Sequence, residues 1–353
     1  MSTHQVKLAD SGQTFSVNED ETILTAALRQ GVVLPYSCRN GTCGSCRGEL
    51  VEGQIGYPYN PPAALKAQEQ EDGHILLCQA VPQGDVTIKA RELDAVGDIP
   101  VRMLPTRVKT KEQLASSVVR LHLSLPKGQR LQFLAGQYVD ILLQGGRRRS
   151  FSLASAPHEE EHLELHVRHV QGGDFTGYVF DEMPERTILR LEGPLGTFFV
   201  REDSPRPMLM MGGGTGFAPL KAMVEHLINS GNTRPIHLFW GTRTAEELYM
   251  DNLPKQWAEQ YDWFQYTAVL SEPETSTDWN GETGFVHEAL VRAYPELAGF
   301  DVYMSGPPIM INSARDRFAE AGLPMNQLYY DSFDFTPDPG DVKIKTEKVP
   351  VVQ

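Results

Sequence analysis

Four cysteines occur in this chain, and three of them stand close together in 38-CRNGTCGSC-46. With the fourth they read Cys38-x4-Cys43-x2-Cys46-x31-Cys78. Thiolates bind metal, and this is the plant-type spacing for a [2Fe–2S] cluster. One loop can supply three ligands while a distant strand brings the fourth. The small residues Gly41, Thr42, Gly44 and Ser45 would let backbone N–H groups approach bridging sulfides, and such hydrogen bonds tune a cluster's potential. Two other uses of four cysteines are structural zinc and disulfides. Zinc sites normally pair C-x2-C knuckles, and only one half of that pattern is present. The N-terminus, 1-MSTHQVKLADSG, lacks the basic start and apolar middle of a secretory signal, so disulfides are disfavoured and a reducing cytoplasm is expected.

Two further stretches carry residue types suited to a nucleotide. In 147-RRRSFSLASAP an arginine, whose fork of donors grips phosphate, stands beside an aromatic that could stack on a planar ring. In 212-GGGTGFAP-219 glycines follow an apolar run and open a helical pattern, so backbone and helix N-terminus could approach a pyrophosphate. That turn is not G-x-G-x-x-G. By themselves both stretches also read as an ordinary strand and an ordinary turn.

The surrounding patterns show what must position these groups. Residues 1–92 open on the alternating runs 4-HQVKL and 13-QTFSV, a hairpin signal. A helix follows with Ile23, Leu24, Ala27 and Leu28 on one face and Gly31 past its end. The cysteine loop comes next, then 75-ILLCQAV and 86-VTIKA, which predicts a small sheet with one packed helix. Residues 93–104 read as a linker. Over 105–204 the runs 118-VVRLHLSLP, 137-QYVDILLQ, 150-SFSLAS, 162-HLELHVRHV and 187-TILRLEG predict an antiparallel barrel. Over 205–336 the strands 207-PMLMM, 236-IHLFWG, 264-FQYTAVL and 301-DVYMS alternate with helices expected over 218–228, 245–259, 285–293 and 309–321. That alternation predicts a parallel sheet covered on both faces. The fold class is therefore α+β and α/β, in several domains. The tail 337–353 is polar and proline-bearing and is expected to be mobile.

The formal charge of −14 disfavours nucleic acid as a partner. No apolar run approaches the ~18–20 residues of a membrane span.

Considered together, 34-LPYSCRNGTCGSCRGELVEG-53 and 77-LCQAVP-82 resemble the ferredoxin unit of the one-chain ferredoxin–NAD(P)H reductases. Those chains join a plant-type ferredoxin to a ferredoxin–NADP reductase-like flavoprotein, and the resemblance runs from about residue 3 to about 335. It implies a β-grasp ferredoxin domain, a six-stranded antiparallel β-barrel for the flavin and a parallel α/β nicotinamide domain. Arg149-x-Phe151-Ser152 matches the family's flavin signature R-x-Y/F-S. The match assigns Arg149 to the flavin nucleotide's phosphate, Phe151 to the isoalloxazine and Ser152 to the vicinity of N5. In 166-HVRHVQGGDFTGYVF, Val167 and Arg168 precede Gly173-x-x-Thr176, which matches the turn holding the pyrophosphate. A plain turn, an N-capping Thr176 and an ion-paired Arg168 remain open there. FAD is expected rather than FMN.

The resemblance also covers the nicotinamide half. Gly214, Thr215, Gly216 and Pro219 match its G-x-G-x-x-P turn, and 240-WGTRTAEELY matches the strand end that meets the adenosine. Arg243 would suit a 2′-phosphate, but Glu246 and Glu247 are close by, so NADH is expected over NADPH. In 303-YMSGPPIM-310, Gly306, Pro307 and Met310 match the family's C-G-P-x-x-M, with Ser305 where many relatives carry cysteine. The serine keeps a small polar group but loses the polarizable sulfur, which leaves the hydride-transfer rate and the ring packing open. Phe333, in 329-YYDSFDFTP, is the expected cover for the flavin's other face or else a core aromatic.

The implied activity is NADH-dependent reduction of a partner protein by way of FAD and the cluster, with Ser152 and Ser305 the side chains nearest the transferring atoms. Stretches such as 97-GDIPVRMLPTRV and 192-EGPLGTFFVRED are most similar to the CDP-6-deoxy-Δ3,4-glucoseen reductase branch, whose partner is a sugar-nucleotide dehydrase. The other acceptors implied are Rieske dioxygenases and di-iron monooxygenases. Two rival readings are a zinc-stabilised protein-binding adaptor and a reductase of small flavins or quinones.

Overall fold

A computed structural model describes residues 3–59, 62–93, 99–273 and 279–333. The tail over 337–353 lies outside the described residues. Near the N-terminus, alternation turns Val6 and Leu8 of Thr3–Leu8 and Phe15 and Val17 of Thr14–Asn18 inward, with Val6 opposite Phe15. The sheet runs in spatial order Thr14–Asn18, Thr3–Leu8, Val86–Lys89, Arg47–Glu52, His74–Leu76. Thr3–Leu8 pairs with Val86–Lys89 in parallel; the other pairs are antiparallel. The helix Ile23–Arg29 buries Ile23, Leu24, Ala26 and Ala27 against this sheet and is capped by Thr22, whose Oγ1 accepts from Thr25 N at 3.3 Å. A second short helix, Ala67–Glu71, has no counterpart in the sequence pattern because it buries none of its residues.

The middle of the chain forms a six-stranded antiparallel sheet in the order Arg148–Ser152, Tyr138–Leu142, Ile188–Leu195, Arg102–Ala115, Val118–Ser124, Leu163–Arg168. A bridge from Leu153 to Leu165 links its two outer strands into a barrel. Five of the strands fall on the predicted runs. The sixth, Arg102–Ala115, begins inside the stretch read as linker. Its inward Leu104, Thr106 and Val108 do alternate, but Pro105 between them removes a ladder donor and disguises the strand.

Beyond residue 205 lies a six-stranded parallel sheet ordered Glu282–Thr283, Phe264–Leu270, Ile236–Thr242, Met208–Gly213, Asp301–Gly306, Leu328–Ser332. Both faces are covered, so successive residues serve different cores. Met208 and Met210 pack with Trp240 and Phe217; Leu209 and Met211 pack with Phe239 and Ile311. The helices Phe217–Asn229, Val286–Ala293 and Pro308–Glu320 sit where periodicity places them. The helix expected over 245–259 is instead a 3₁₀ turn, Ala245–Glu247, and a separate helix, Asn252–Gln260. Pro254 explains the break: proline is accommodated in a first helical turn but would clash in an interior one.

Candidate functional site

The cysteine loop connects the first helix to Arg47–Glu52, and Leu77 N donates to Cys46 O at 3.0 Å, which brings Cys78 beside it. Cys43, Cys46 and Cys78 are buried; Cys38 is half-buried. Backbone N–H groups already point at sulfur: Cys43 N at Cys38 Sγ and Ser45 N at Cys43 Sγ, both 3.4 Å. Gln79 Nε2 lies 3.6 Å from Cys78 Sγ. The side chains fall into two hydrogen-bonded pairs. Cys43, helped by the N–H groups of Asn40 and Cys43, lowers the Cys38 thiol to about 5 against the effect of burial. Cys46 likewise lowers Cys78, and the partners Cys43 and Cys46 are pushed up by these bonds and by burial.

The spread of the sulfurs tests which metal group fits. A tetrahedral zinc with ~2.3 Å bonds would hold every pair of sulfurs about 3.8 Å apart. Among the described residues, no three of these sulfurs all lie within 4.8 Å of one another. Four thiols in two pairs suit two irons better than one zinc.

The same loop forms one wall of a cleft. Ser37, Cys38 and Asn40 face Arg149, Phe151 and Ser152 of the barrel, and the cleft continues along Arg168, Gly173 and Thr176 to Thr215. Phe151 is half-buried, with its ring 5.6 Å from that of Phe175. Thr176 Oγ1 sits within the turn, 3.2 Å from Val170 N, just after the start of the short helix Asp174–Gly177. Arg168 lines the cleft and also lies 3.4 Å from Glu247, so the ion pair foreseen for it is present. Val167 differs: its side chain is wholly buried in the barrel core. Phe333 lines the cleft beside Asp331 and Ser332.

Asp331 is the residue that pattern reading missed. Its buried carboxylate accepts from Ser37 Oγ in the cysteine loop and from Ser152 Oγ at 3.3 Å in the barrel. Burial raises this carboxyl, and the two serine hydroxyls oppose the rise. Tyr138 OH donates to Ser37 O at 2.8 Å, and Tyr36 N donates to Thr197 Oγ1 at 2.8 Å. These bonds seat the loop against the barrel. A charged residue in 329-YYDSFDF, among aromatics on a strand, was the available signal.

At the C-terminal edge of the parallel sheet, register sets Gly212 beside Ser305 and Gly213 beside Gly241. Gly214 adopts φ +53°, a left-handed conformation that favours glycine. Gly216 lies so close to the next strand that a Cβ would stand 2.0 Å from Ser305 O. A Cβ on Gly306 would stand 2.4 Å from Met310 Cε, and one on Gly213 would stand 3.2 Å from Pro307. Pro219 is buried in the following helix. The turn and the Ser305–Met310 segment thus form one cradle, and Ser305 Oγ is buried there without a hydrogen-bond partner among the described residues. Arg243 is at the end of the adjacent strand, bonded to Glu247 at 2.7 Å.

Comparison with known proteins agrees with this division of labour. The chain matches the 2Fe-2S iron-sulfur cluster binding domain over residues 6–83, the oxidoreductase FAD-binding domain over 105–200 and the oxidoreductase NAD-binding domain over 210–316. It is 38% identical over 328 residues to a CDP-6-deoxy-L-threo-D-glycero-4-hexulose-3-dehydrase reductase of Yersinia pestis, covering 93% of this chain and 98% of that one. It is 34% identical to the reductase component of a phenol 2-monooxygenase from Pseudomonas sp., covering 94% of each chain. Among solved structures, a cytochrome P450 reductase from Amycolatopsis superposes with a TM-score of 0.73 at 32% identity, covering 94% of this chain and 99% of that one.

Proposed function

The chain belongs to the one-chain ferredoxin–NAD(P)H reductases, iron–sulfur flavoproteins, and from that premise we propose that it carries electrons from NADH to a partner protein. When bound, FAD takes two electrons together from the nicotinamide and gives them up singly, and a [2Fe–2S] cluster carries one at a time. The protein contributes no nucleophile and no general base. Its task is to hold these groups together and keep water out.

Cys38, Cys43, Cys46 and Cys78 would hold the irons. Arg149, Gly173 and Thr176 would hold the phosphates of FAD, with Arg168 shared between them and Glu247. Phe151 and Phe333 would bracket the flavin ring, and Ser152, oriented by Asp331, would bond near its reactive edge. The Gly214–Thr215–Gly216 turn would receive the dinucleotide, and Ser305, Gly306, Pro307 and Met310 would bound the nicotinamide. The Ser305 hydroxyl is buried with no hydrogen-bond partner among the described residues, as a group left to pair with a bound ring would be. NADH is favoured because Arg243 is already bonded to Glu247, and that carboxylate would repel a 2′-phosphate.

One observation carries this reading: the half-buried Cys38 and the flavin-signature residues line the same cleft. The acceptor we infer is a sugar-nucleotide 3-dehydrase acting on CDP-6-deoxyhexulose, which would make the chain a CDP-6-deoxy-Δ3,4-glucoseen reductase. The 38% relative supports this choice. The similarly covered monooxygenase reductase supports an oxygenase as the second reading. Cys46→Ser tests the relay. NADH-driven reduction of cytochrome c should be lost while ferricyanide reduction persists; unchanged rates with both acceptors would contradict it.

A further inference from the structure

The stretch 158-HEEEHLELHVRH-169 carries more histidine and glutamate than a barrel strand needs. Alternation sends Leu163, Leu165 and Val167 into the barrel core. His162 and Glu164, two residues apart, share the opposite face. Glu164 is the register partner of His122 on the next strand, and His122 is the partner of Thr110 on the one after that. Two neighbouring strands therefore deliver two imidazoles and a carboxylate to one spot, and the third adds the Thr110 hydroxyl beside them. One donor atom each from His122, His162 and Glu164 lies within 4.8 Å of the other two.

We propose that His122, His162 and Glu164 form a binding site for a divalent first-row cation, zinc foremost, on the flank of the barrel. Two imidazoles and one carboxylate with an open fourth position are a zinc donor set. At zinc–ligand distances of ~2.0–2.1 Å, tetrahedral donors stand about 3.3 Å apart. His122 Nε2 and Glu164 Oε2 are 3.6 Å apart, close to that separation. His122 Nδ1 lies 2.9 Å from Thr110 Oγ1; donation from Nδ1–H to this hydroxyl leaves the Nε2 lone pair for a metal. The His162 ring is 4.1 Å from that of His122, and its Nδ1 is buried with no hydrogen-bond partner among the described residues.

Glu164 has other partners: His166 Nε2 at 2.7 Å and Lys221 Nζ at 3.3 Å. The first is a second-sphere bond of the kind that orients a ligating carboxylate. The second falls on Oε2, the oxygen that faces His122, so a cation there must take that oxygen from the ammonium, which keeps Glu225 at 3.0 Å and Ala154 O at 3.1 Å as its other acceptors.

Zinc titrated by calorimetry into the tag-free holoprotein, with cluster and flavin loaded, should bind at one ion per chain. His122→Ala and His162→Ala should each weaken binding at least tenfold while visible spectrum and melting temperature stay unchanged. X-ray absorption at the zinc edge of the wild-type complex should show nitrogen and oxygen neighbours only, a result independent of any variant. Absence of binding, affinity unaltered in both variants, or sulfur around the zinc would each overturn the proposal.

Discussion

The cysteine loop takes its four sulfurs from residues 38–78 of one small sheet, whereas the neighbouring cleft draws its walls from residues 37 to 333. Both regions hold residues proposed above to bind redox groups, but they are organised differently. The loop depends on short-range spacing and on N–H groups a few residues away. The cleft depends on three units being held together, by bonds as distant in sequence as Ser37 to Asp331. A local site tolerates small shifts of its neighbours. A shared one is exposed to any change that moves one wall against another.

The sharpest test of the shared region is Gly216→Ala. The new Cβ would meet Ser305 backbone at 2.0 Å, and backbone cannot yield as a flexible side chain can. The turn must shift, so kcat/KM for NADH should fall at least tenfold, about 1.4 kcal/mol. The cysteine loop is remote from this turn in sequence, and the cluster's visible and EPR signals should be retained. Loss of both together would break the distinction between the regions.

A smaller effect is expected at the seam. Ser37→Ala removes one hydroxyl donor to Asp331 and leaves the cysteines in place. Losing one partner of a buried carboxylate costs ~1–3 kcal/mol. Stopped-flow kinetics should show flavin reduction by NADH unchanged and the following reduction of the cluster slowed severalfold. Slowed flavin reduction with the cluster step unchanged would mean that Asp331 serves only the flavin side.

The smallest effect concerns stability within the parallel sheet. Burial lowers His237 to about 4, and the ring is held between Tyr294 OH at 2.9 Å and Thr267 Oγ1 at 2.8 Å. The folded state favours neutral imidazole, whereas an unfolded histidine titrates near ~6.5. Its stabilising contribution is complete above that value and declines as pH falls from 6.5 toward 4. His237→Asn should flatten the dependence of melting temperature on pH in this window. An unaltered slope would mean that other groups dominate it.

Legibility followed the same contrast. Cysteine spacing, the glycine turn and the apolar run 207-PMLMM were readable because each is a local pattern with a physical meaning. The strand Arg102–Ala115 was hidden by one proline, and the helix break before Asn252 was signalled by another. Asp331 could not be placed from sequence, since its meaning comes from Ser37 and Ser152, far away in the chain. The His122–His162–Glu164 trio shows both sides: H-x-E at strand period is visible, but His122 joins only through strand register.

The central claim is that one chain unites an iron–sulfur cluster with a flavin that NADH can reduce. Anaerobic titration of the holoprotein with NADH, followed by its visible spectrum, tests this most directly. Uptake of about three electrons per chain, two by FAD and one by the cluster, is the predicted result. Uptake of two with no change in cluster absorption would contradict it.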